Sequence, residues 1–297
     1  MKPNIFIDGE AGTTGLRLKS LLAGRDEFDL VSIDATRRKL THIRREYLNA
    51  ADIVILCLPD TAAREAVTLI NNPNVRIIDA SSAHRTDADW TYGFPEMSKG
   101  QGEVIRQSRR VTNPGCYPTG FIALMRPLVE AGLVPQDWPV SVHAVSGYSG
   151  GGKALIHLYE SGQGEAYRAY ALKGAHKHLA EMQRYTGLNH APHFSPSVAA
   201  YAQGMLIEIP LPLWALPKTI SRSDIHAVLS AAYSEAHFVT VHSLDLADHL
   251  DILEPEARNG TNFMDLYVCG TDDALRLMAR FDNLGKGAAG AAVQNLN

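Results

Sequence analysis

The tightest constraint on the fold is the way the chain begins. Ile5-Phe6-Ile7 runs straight into Gly9-Glu10-Ala11-Gly12-Thr13-Thr14-Gly15, and Leu16, Leu18, Leu21 and Leu22 then recur at helical spacing. A strand that turns through glycines into a helix gathers bare backbone N–H groups and the positive end of a helix dipole at one point, which suits a pyrophosphate. Gly9, Gly12, Thr13, Thr14 and Gly15 are the cofactor contacts expected there. The spacing is G-x-x-G-x-x-G rather than G-x-G-x-x-G, so an ordinary tight βα turn is the competing reading. Further apolar strands over 28–33, 52–58 and 75–78, with a helix over 61–70 after Pro59-Asp60, extend the alternation. Near-continuous apolar strands separated by helices predict a parallel sheet covered on both faces, hence a doubly wound, Rossmann-type α/β domain.

The end of the second strand bears on which dinucleotide fits. An acid there binds a ribose 2′-hydroxyl, and arginine accommodates a 2′-phosphate. Asp34 is followed by Arg37-Arg38-Lys39, so the signals conflict. Three cations so close together favour NADP, with Arg37 and Arg38 as the expected phosphate ligands, against a merely solvated basic helix start. The pattern changes after Asn113. A glycine- and serine-rich loop covers 147–152, strands are expected over 199–212 and 262–268, and a helix over 223–236 with Ser223 as its N-cap. The tail, 283–297, returns to small residues at helical spacing. The expected division is therefore 1–115 with 283–297 as the dinucleotide-binding domain, and 116–282 as an α+β catalytic and oligomerisation domain.

At 45% hydrophobic and 20% charged residues, the 297-residue chain can bury a sizeable core. Its 28 Lys and Arg against 32 Asp and Glu leave a formal charge of −4, which offers no broad basic surface for nucleic acid or an anionic membrane. Met1-Lys2-Pro3-Asn4 enters the first strand directly, so no signal peptide is expected, and no apolar run approaches the ~18 residues of a membrane span. Three scattered cysteines, Cys57, Cys116 and Cys269, argue against a disulfide framework or a zinc knuckle, and no metal site is expected. The expected location is a reducing cytoplasm.

The three cysteines differ in setting. Cys57 lies within an apolar strand and Cys269 ends one, which is the pattern of packing cysteines. Cys116 stands in Asn113-Pro114-Gly115-Cys116-Tyr117-Pro118-Thr119-Gly120, just before the apolar run Phe121-Ile122-Ala123-Leu124. That places it at a helix N-terminus, where the dipole favours thiolate over thiol, the state a covalent nucleophile needs.

This segment resembles the active-site motif of the N-acetyl-gamma-glutamyl-phosphate reductases, relatives of aspartate-semialdehyde dehydrogenase. The likeness continues through Leu58-Pro59-Asp60, Asp79-Ala80-Ser81-Ser82-Ala83-His84-Arg85, Trp90 to Glu96, and Ser146 to Lys153. It also takes in His176-Lys177-His178-Leu179-Ala180-Glu181-Met182 and Asp282 to Ala288, and the compact length is similar to the shorter, type 2 branch. The resemblance implies reduction of an acyl phosphate to an aldehyde with NADPH, a thioester on Cys116, and a homo-oligomer, dimer or tetramer. It implies His176 and His178 as acid/base candidates. At i, i+3 on a helix His178 and Glu181 share a face, so His178 is favoured and Glu181 is expected to orient it. Asn283 and Lys286-Gly287 match family positions that approach the cofactor, implying that the last helix returns to the first domain.

Arg85, after the fourth strand, is an expected anion ligand, with a structural salt bridge as the equal alternative; Asn113 is placed with it at the substrate. Ser149 and Gly150 are expected to offer backbone donors toward the nicotinamide. His190, His193, His242 and His249 read as surface or packing residues. Three rival readings stand beside the main one: aspartate-semialdehyde dehydrogenase, a reductase for an aminoadipyl phosphate one methylene longer, and a non-catalytic NADP-binding redox sensor.

Overall fold

The computed structural model describes residues 2–297, which divide into two units. Unit 1 comprises residues up to Pro95, Gly100–Pro114 and Ala288–Asn297; unit 2 comprises Glu96–Lys99 and Gly115–Gly287. Asn283 and Lys286, expected within the first domain, therefore lie in unit 2.

In unit 1 the elements run β1 (Asn4–Asp8), α1 (Thr13–Leu22), β2 (Asp29–Val31), α2 (Thr41–Ala50), β3 (Ile53–Leu56), α3 (Asp60–Leu69), β4 (Arg76–Asp79), β5 (Thr91–Tyr92), α4 (Gln101–Gln107) and β6 (Arg110–Thr112). The strands form a parallel sheet in the order β2-β1-β3-β4-β6-β5. Side chains alternate across a strand, and the two faces here bury different partners. Phe6, Val54, Leu56 and Ile77 pack with Ile43 and Leu48 of α2 and Ala63, Ala66 and Leu69 of α3. Ile5, Ile7, Ile55 and Ile78 pack with Leu18 and Leu22 of α1. The doubly wound reading holds, with shorter strands than the apolar runs suggested: Leu58 leaves the sheet because Pro59 N-caps α3.

Unit 2 contains α5 (Cys116–Glu130), β7 (Ser141–Gly147), α6 (Gly152–Glu160), β8 (Tyr167–Ala169), α7 (Leu179–Thr186), β9 (His193–Ala199), β10 (Met205–Leu211), α8 (Arg222–Ala232), β11 (Val239–Val241), α9 (Leu244–Asp248), β12 (Met264–Gly270) and β13 (Leu275–Phe281). Seven strands pair in the order β11-β12-β13-β10-β7-β9-β8, a mixed sheet with parallel β11–β12 and β7–β9 pairs. Finally α10 (Gly290–Leu296) belongs to unit 1, where Ala289 and Ala292 join the α1 side of the core.

Three local expectations change. The run over 199–212 breaks into the end of β9, a turn and β10, with Gly204 at φ +100 turning the chain. The glycine- and serine-rich segment forms a 3₁₀ turn, Tyr148–Gly151, rather than an open loop. Helix α8 starts on Ser221, not Ser223: Ser221 Oγ accepts from the Asp224 amide at 3.2 Å while Asp224 accepts from the Ser221 amide at 2.8 Å. This reciprocal cap satisfies two orphan donors, which a lone serine two residues on cannot do.

Helix α5 is buried along nearly its whole length, and Gly120 sets how closely it approaches the sheet. A Cβ there would stand 2.6 Å from Ile207 Cγ1 and 2.7 Å from Phe281 Cε1, both on fully buried residues. Gly120→Ala gains about 1 kcal/mol of helix propensity but overpacks by roughly 1–3 kcal/mol, so a net loss of stability is expected in urea or thermal melts.

On the same sheet the fully buried Asp265 is bonded by Arg258 (2.6 and 2.8 Å), by its cross-strand neighbour Arg280 (2.8 and 3.1 Å) and by His242 Nε2 (3.0 Å). His242 is thus an ion-network member rather than an isolated packing histidine. Burial opposes ionisation of Asp265, but the bonds from His242, Arg258 and Arg280 outweigh it and hold the carboxyl well below the usual range. A depressed folded pKa stabilises above the unfolded value of about 4 and is lost as pH falls below it. Stability is therefore expected to drop below about pH 4, and Asp265→Asn to flatten that acid dependence in denaturant titrations.

Candidate active site

The reactive end of unit 2 is built where α5 begins. Gly115, in extended conformation, is the N-cap, so Cys116 occupies the first helical position and is half-buried. Thr119 locks the turn: its amide (3.0 Å) and its hydroxyl (2.8 Å) both donate to the Gly115 carbonyl. The Gly115 amide donates to Glu181 Oε2 at 3.2 Å, and Glu181 Oε1 lies 4.0 Å from His178 Nε2. Glu181 and His178 are both buried, with side chains 1% and 7% exposed.

His178 is the N-cap of α7, and His176 lies outside that helix. His178 thus stands at the edge of the helix rather than inside it, and still faces Glu181. His176 Nδ1 accepts from the His178 amide at 3.1 Å, which in a neutral ring puts the proton on Nε2. The two rings lie 4.6 Å apart. Tyr117, next to the cysteine, packs on both histidines and on Phe194 (6.2, 5.9 and 5.1 Å between centroids), and its hydroxyl donates to the Ser197 carbonyl at 2.9 Å. Burial, with Cys116 and Tyr170 nearby, pushes the Tyr117 phenol far up, so it stays a neutral donor. Gly287 backs Cys116: a Cβ there would stand 2.8 Å from Cys116 Cβ. Tyr117 did not stand out in the sequence, although it lies in the segment that carries the resemblance, and Gly287, expected near the cofactor, is found against Cys116.

Other expected residues are engaged in holding the main chain. Asn283 accepts from the Gly204 amide (2.8 Å) and donates to Ser149 Oγ (3.0 Å). The Ser149 amide is spent on the Ala202 carbonyl (3.1 Å), and Gly150 packs against Asn283 and Ser146. The buried Lys286 ammonium meets both oxygens of Glu96 at 2.7 and 2.8 Å; burial lowers its pKa, which Glu96 opposes. In unit 1 the buried Arg85 donates from Nε to the Asn113 carbonyl at 3.0 Å, and the Asn113 amide side chain donates to the Ala288 carbonyl at 2.8 Å.

Unit 1 contains a cavity of about 430 Å³ at the glycine turn. Gly9 sits at φ +91, and a Cβ on it would stand 2.3 Å from the Cys57 carbonyl oxygen; one on Gly15 would be 2.4 Å from the Gly9 oxygen. Only glycine permits this close packing, which leaves backbone rather than side chains to face a phosphate beside α1. Arg38 and Lys39 line the cavity; Arg37 is not among its lining residues. Asp34 closes its own turn, accepting at Oδ1 from the Thr36 amide (2.9 Å) and hydroxyl (2.5 Å), bonds that lower its pKa. The conflict at the strand end thus resolves toward cations, and glycine cradle, volume and charge fit an NADP-type dinucleotide.

A dinucleotide fold joined to a unit that opens on a helix-start cysteine defines a class, the pyridine-nucleotide oxidoreductases that work through a thiol. Residues 4–105 match the semialdehyde dehydrogenase NAD binding domain and residues 116–283 the semialdehyde dehydrogenase dimerisation domain. The N-acetyl-gamma-glutamyl-phosphate reductase of Burkholderia lata is 52% identical, the alignment covering 100% of this chain and 96% of that protein. N-acetyl-gamma-glutamyl-phosphate reductase 2 of Nostoc sp. is 50% identical with the same coverages. Aspartate semialdehyde dehydrogenase II of Vibrio cholerae shares the fold, with a TM-score of 0.72 at 16% identity over 100% of this chain and 98% of that one. The chain belongs to the semialdehyde dehydrogenase family, in its N-acetyl-gamma-glutamyl-phosphate reductase branch. The dimerisation domain implies an oligomer, and among the described residues no helix is long and apolar enough to cross a membrane.

Burial pushes the Cys57 thiol up to about 12, with Asp79 and Asp8 adding to it, and burial also raises Cys269. Both stay protonated at neutral pH. Iodoacetamide at pH 7–8 is therefore expected to alkylate Cys116 first, read by peptide mass spectrometry; faster labelling of Cys57 or Cys269 would contradict this geometry.

Proposed function

We propose that this protein reduces N-acetyl-gamma-glutamyl phosphate to N-acetylglutamate 5-semialdehyde and inorganic phosphate, using NADPH and a thioester on Cys116. The observation that carries the reading is the buried Glu181, which holds the Gly115 amide at the start of α5 with one oxygen and lies 4.0 Å from His178 with the other. It ties nucleophile and base to one carboxylate. Relatives about half identical over the full chain carry this reductase name.

Cys116, at the positive end of α5, attacks the acyl carbon as thiolate; the carbon–oxygen bond to phosphate breaks and phosphate leaves. The hydride that reduces the thioester to a thiohemiacetal is the chemistry NADPH supplies when bound. His178 donates a proton to the oxygen as the carbonyl is reduced, then takes back the hydroxyl proton as the carbon–sulfur bond breaks and the aldehyde departs. The imidazolium that donates this proton, and that the second transfer restores, is stabilised by Glu181. His176, with Nδ1 occupied by the His178 amide, presents Nε2–H and serves as a hydrogen-bond donor to substrate, with His178 as the base. Gly9 to Gly15 would hold the pyrophosphate, with Arg38 and Lys39 on the 2′-phosphate. Arg85 and Asn113 shape the main chain leading to Cys116. The protein works in the cytoplasm as a homo-oligomer, a reading supported by its dimerisation domain and by its three free cysteines.

The test is phosphate-dependent reduction of NADP by N-acetylglutamate 5-semialdehyde. Cys116→Ser is expected to abolish it. His178→Asn is expected to lower kcat by roughly 10²–10⁴-fold, with a smaller loss in His176→Asn. An active Cys116→Ser protein, or faster turnover of the acetylated six-carbon semialdehyde than of the five-carbon one, overturns the assignment.

A further inference from the structure

The last residue of β1 is an acid that follows three apolar residues, Ile5-Phe6-Ile7. Asp8, in register with Leu56 of β3, directly precedes Gly9 and lines the dinucleotide cavity with its side chain only 9% exposed. A carboxylate at this point repels a pyrophosphate brought to the glycine turn. Its charge is met by Arg44, in the first turn of α2, whose Nη2 and Nε donate to Asp8 Oδ2 at 2.8 and 3.3 Å. Arg44 is itself 11% exposed and lines the cavity; its Nη1 stands 3.9 Å from Glu65 Oε2. The other acid in the turn, Glu10, is answered separately by Lys19 Nζ and Ser32 Oγ, both at 2.9 Å. Each acid of the phosphate-binding turn therefore has its own close cation, with Arg38 adding a weaker attraction at Glu10.

Building on the dinucleotide reading, we propose that Arg44 is a positioning residue for cofactor binding: it cancels the charge of Asp8 at the glycine turn, so that the pyrophosphate meets backbone N–H groups and no net negative charge. Arg44 acts through Asp8 rather than on the phosphate itself. The two residues are thus coupled, and removing Arg44 alone leaves a buried uncompensated carboxylate against an anion.

The experiment is calorimetric titration of NADP and NAD into the full-length protein and its Arg44→Gln, Asp8→Asn and Asp8→Asn/Arg44→Gln variants. Arg44→Gln is expected to weaken both dinucleotides by roughly tenfold or more, because the pyrophosphate is common to them. The double variant is expected to recover to within about threefold of the parent, and Asp8→Asn alone to bind at least as well as the parent. A double variant as weak as Arg44→Gln, or an Asp8→Asn variant that loses affinity, overturns the proposal, since a direct phosphate ligand or a simple strut behaves that way. If Arg44→Gln does not fold, the other two variants decide alone. A parent protein that binds neither dinucleotide refutes the cofactor reading, whereas tight NADP binding without rescue in the double variant refutes this inference only.

Discussion

The hydrogen bond from the Gly115 amide to Glu181 Oε2 joins segments 66 residues apart and ties the start of α5 to α7. One free N–H at the start of α5 is taken by a buried carboxylate instead of water, which fixes the direction in which the helix leaves Gly115. The same carboxylate sits beside the histidine that caps α7. Helix α5 can carry a reactive residue at its first position because the rest of it is held rigidly: Phe121, Ile122, Leu124 and Leu128 are fully buried, and Gly120 brings the helix close to β10 and β13.

Much of the molecule supports that turn indirectly. Asn283 bridges the Gly204 turn and Ser149, Gly287 leaves space for the Cys116 side chain, and the aromatic faces of Tyr117 and Phe194 border the histidines. Several residues in the segments that carry the resemblance hold backbone, as Arg85 does at the Asn113 carbonyl, so that buried main-chain groups are satisfied.

The parallel sheet was legible because its signal is local: Ile5, Phe6 and Ile7 alternate between two buried faces, and both faces demand apolar residues. The helix-start cysteine was legible for the same reason, since Pro114 and Gly115 mark the turn beside it. Pairings across long separations were not. Nothing adjacent to Asp8 announces Arg44, and nothing near Asp265 announces Arg258, Arg280 and His242 together. The capping serine of α8 was misplaced by two residues because Ser221 and Ser223 both precede the helical run, and only the reciprocal bond with Asp224 separates them. The exchange of Arg37 for Lys39 at the cavity had the same origin: within a basic run, backbone direction decides which side chains turn inward.

Unit 1 is assembled from both ends of the polypeptide. Ala289 and Ala292 fill the α1 side of its core, so during synthesis on the ribosome the sheet emerges early but lacks those contacts until the final ten residues appear. Vectorial synthesis therefore leaves the α1 side of the unit 1 core incomplete until the continuous stretch of unit 2 has been made.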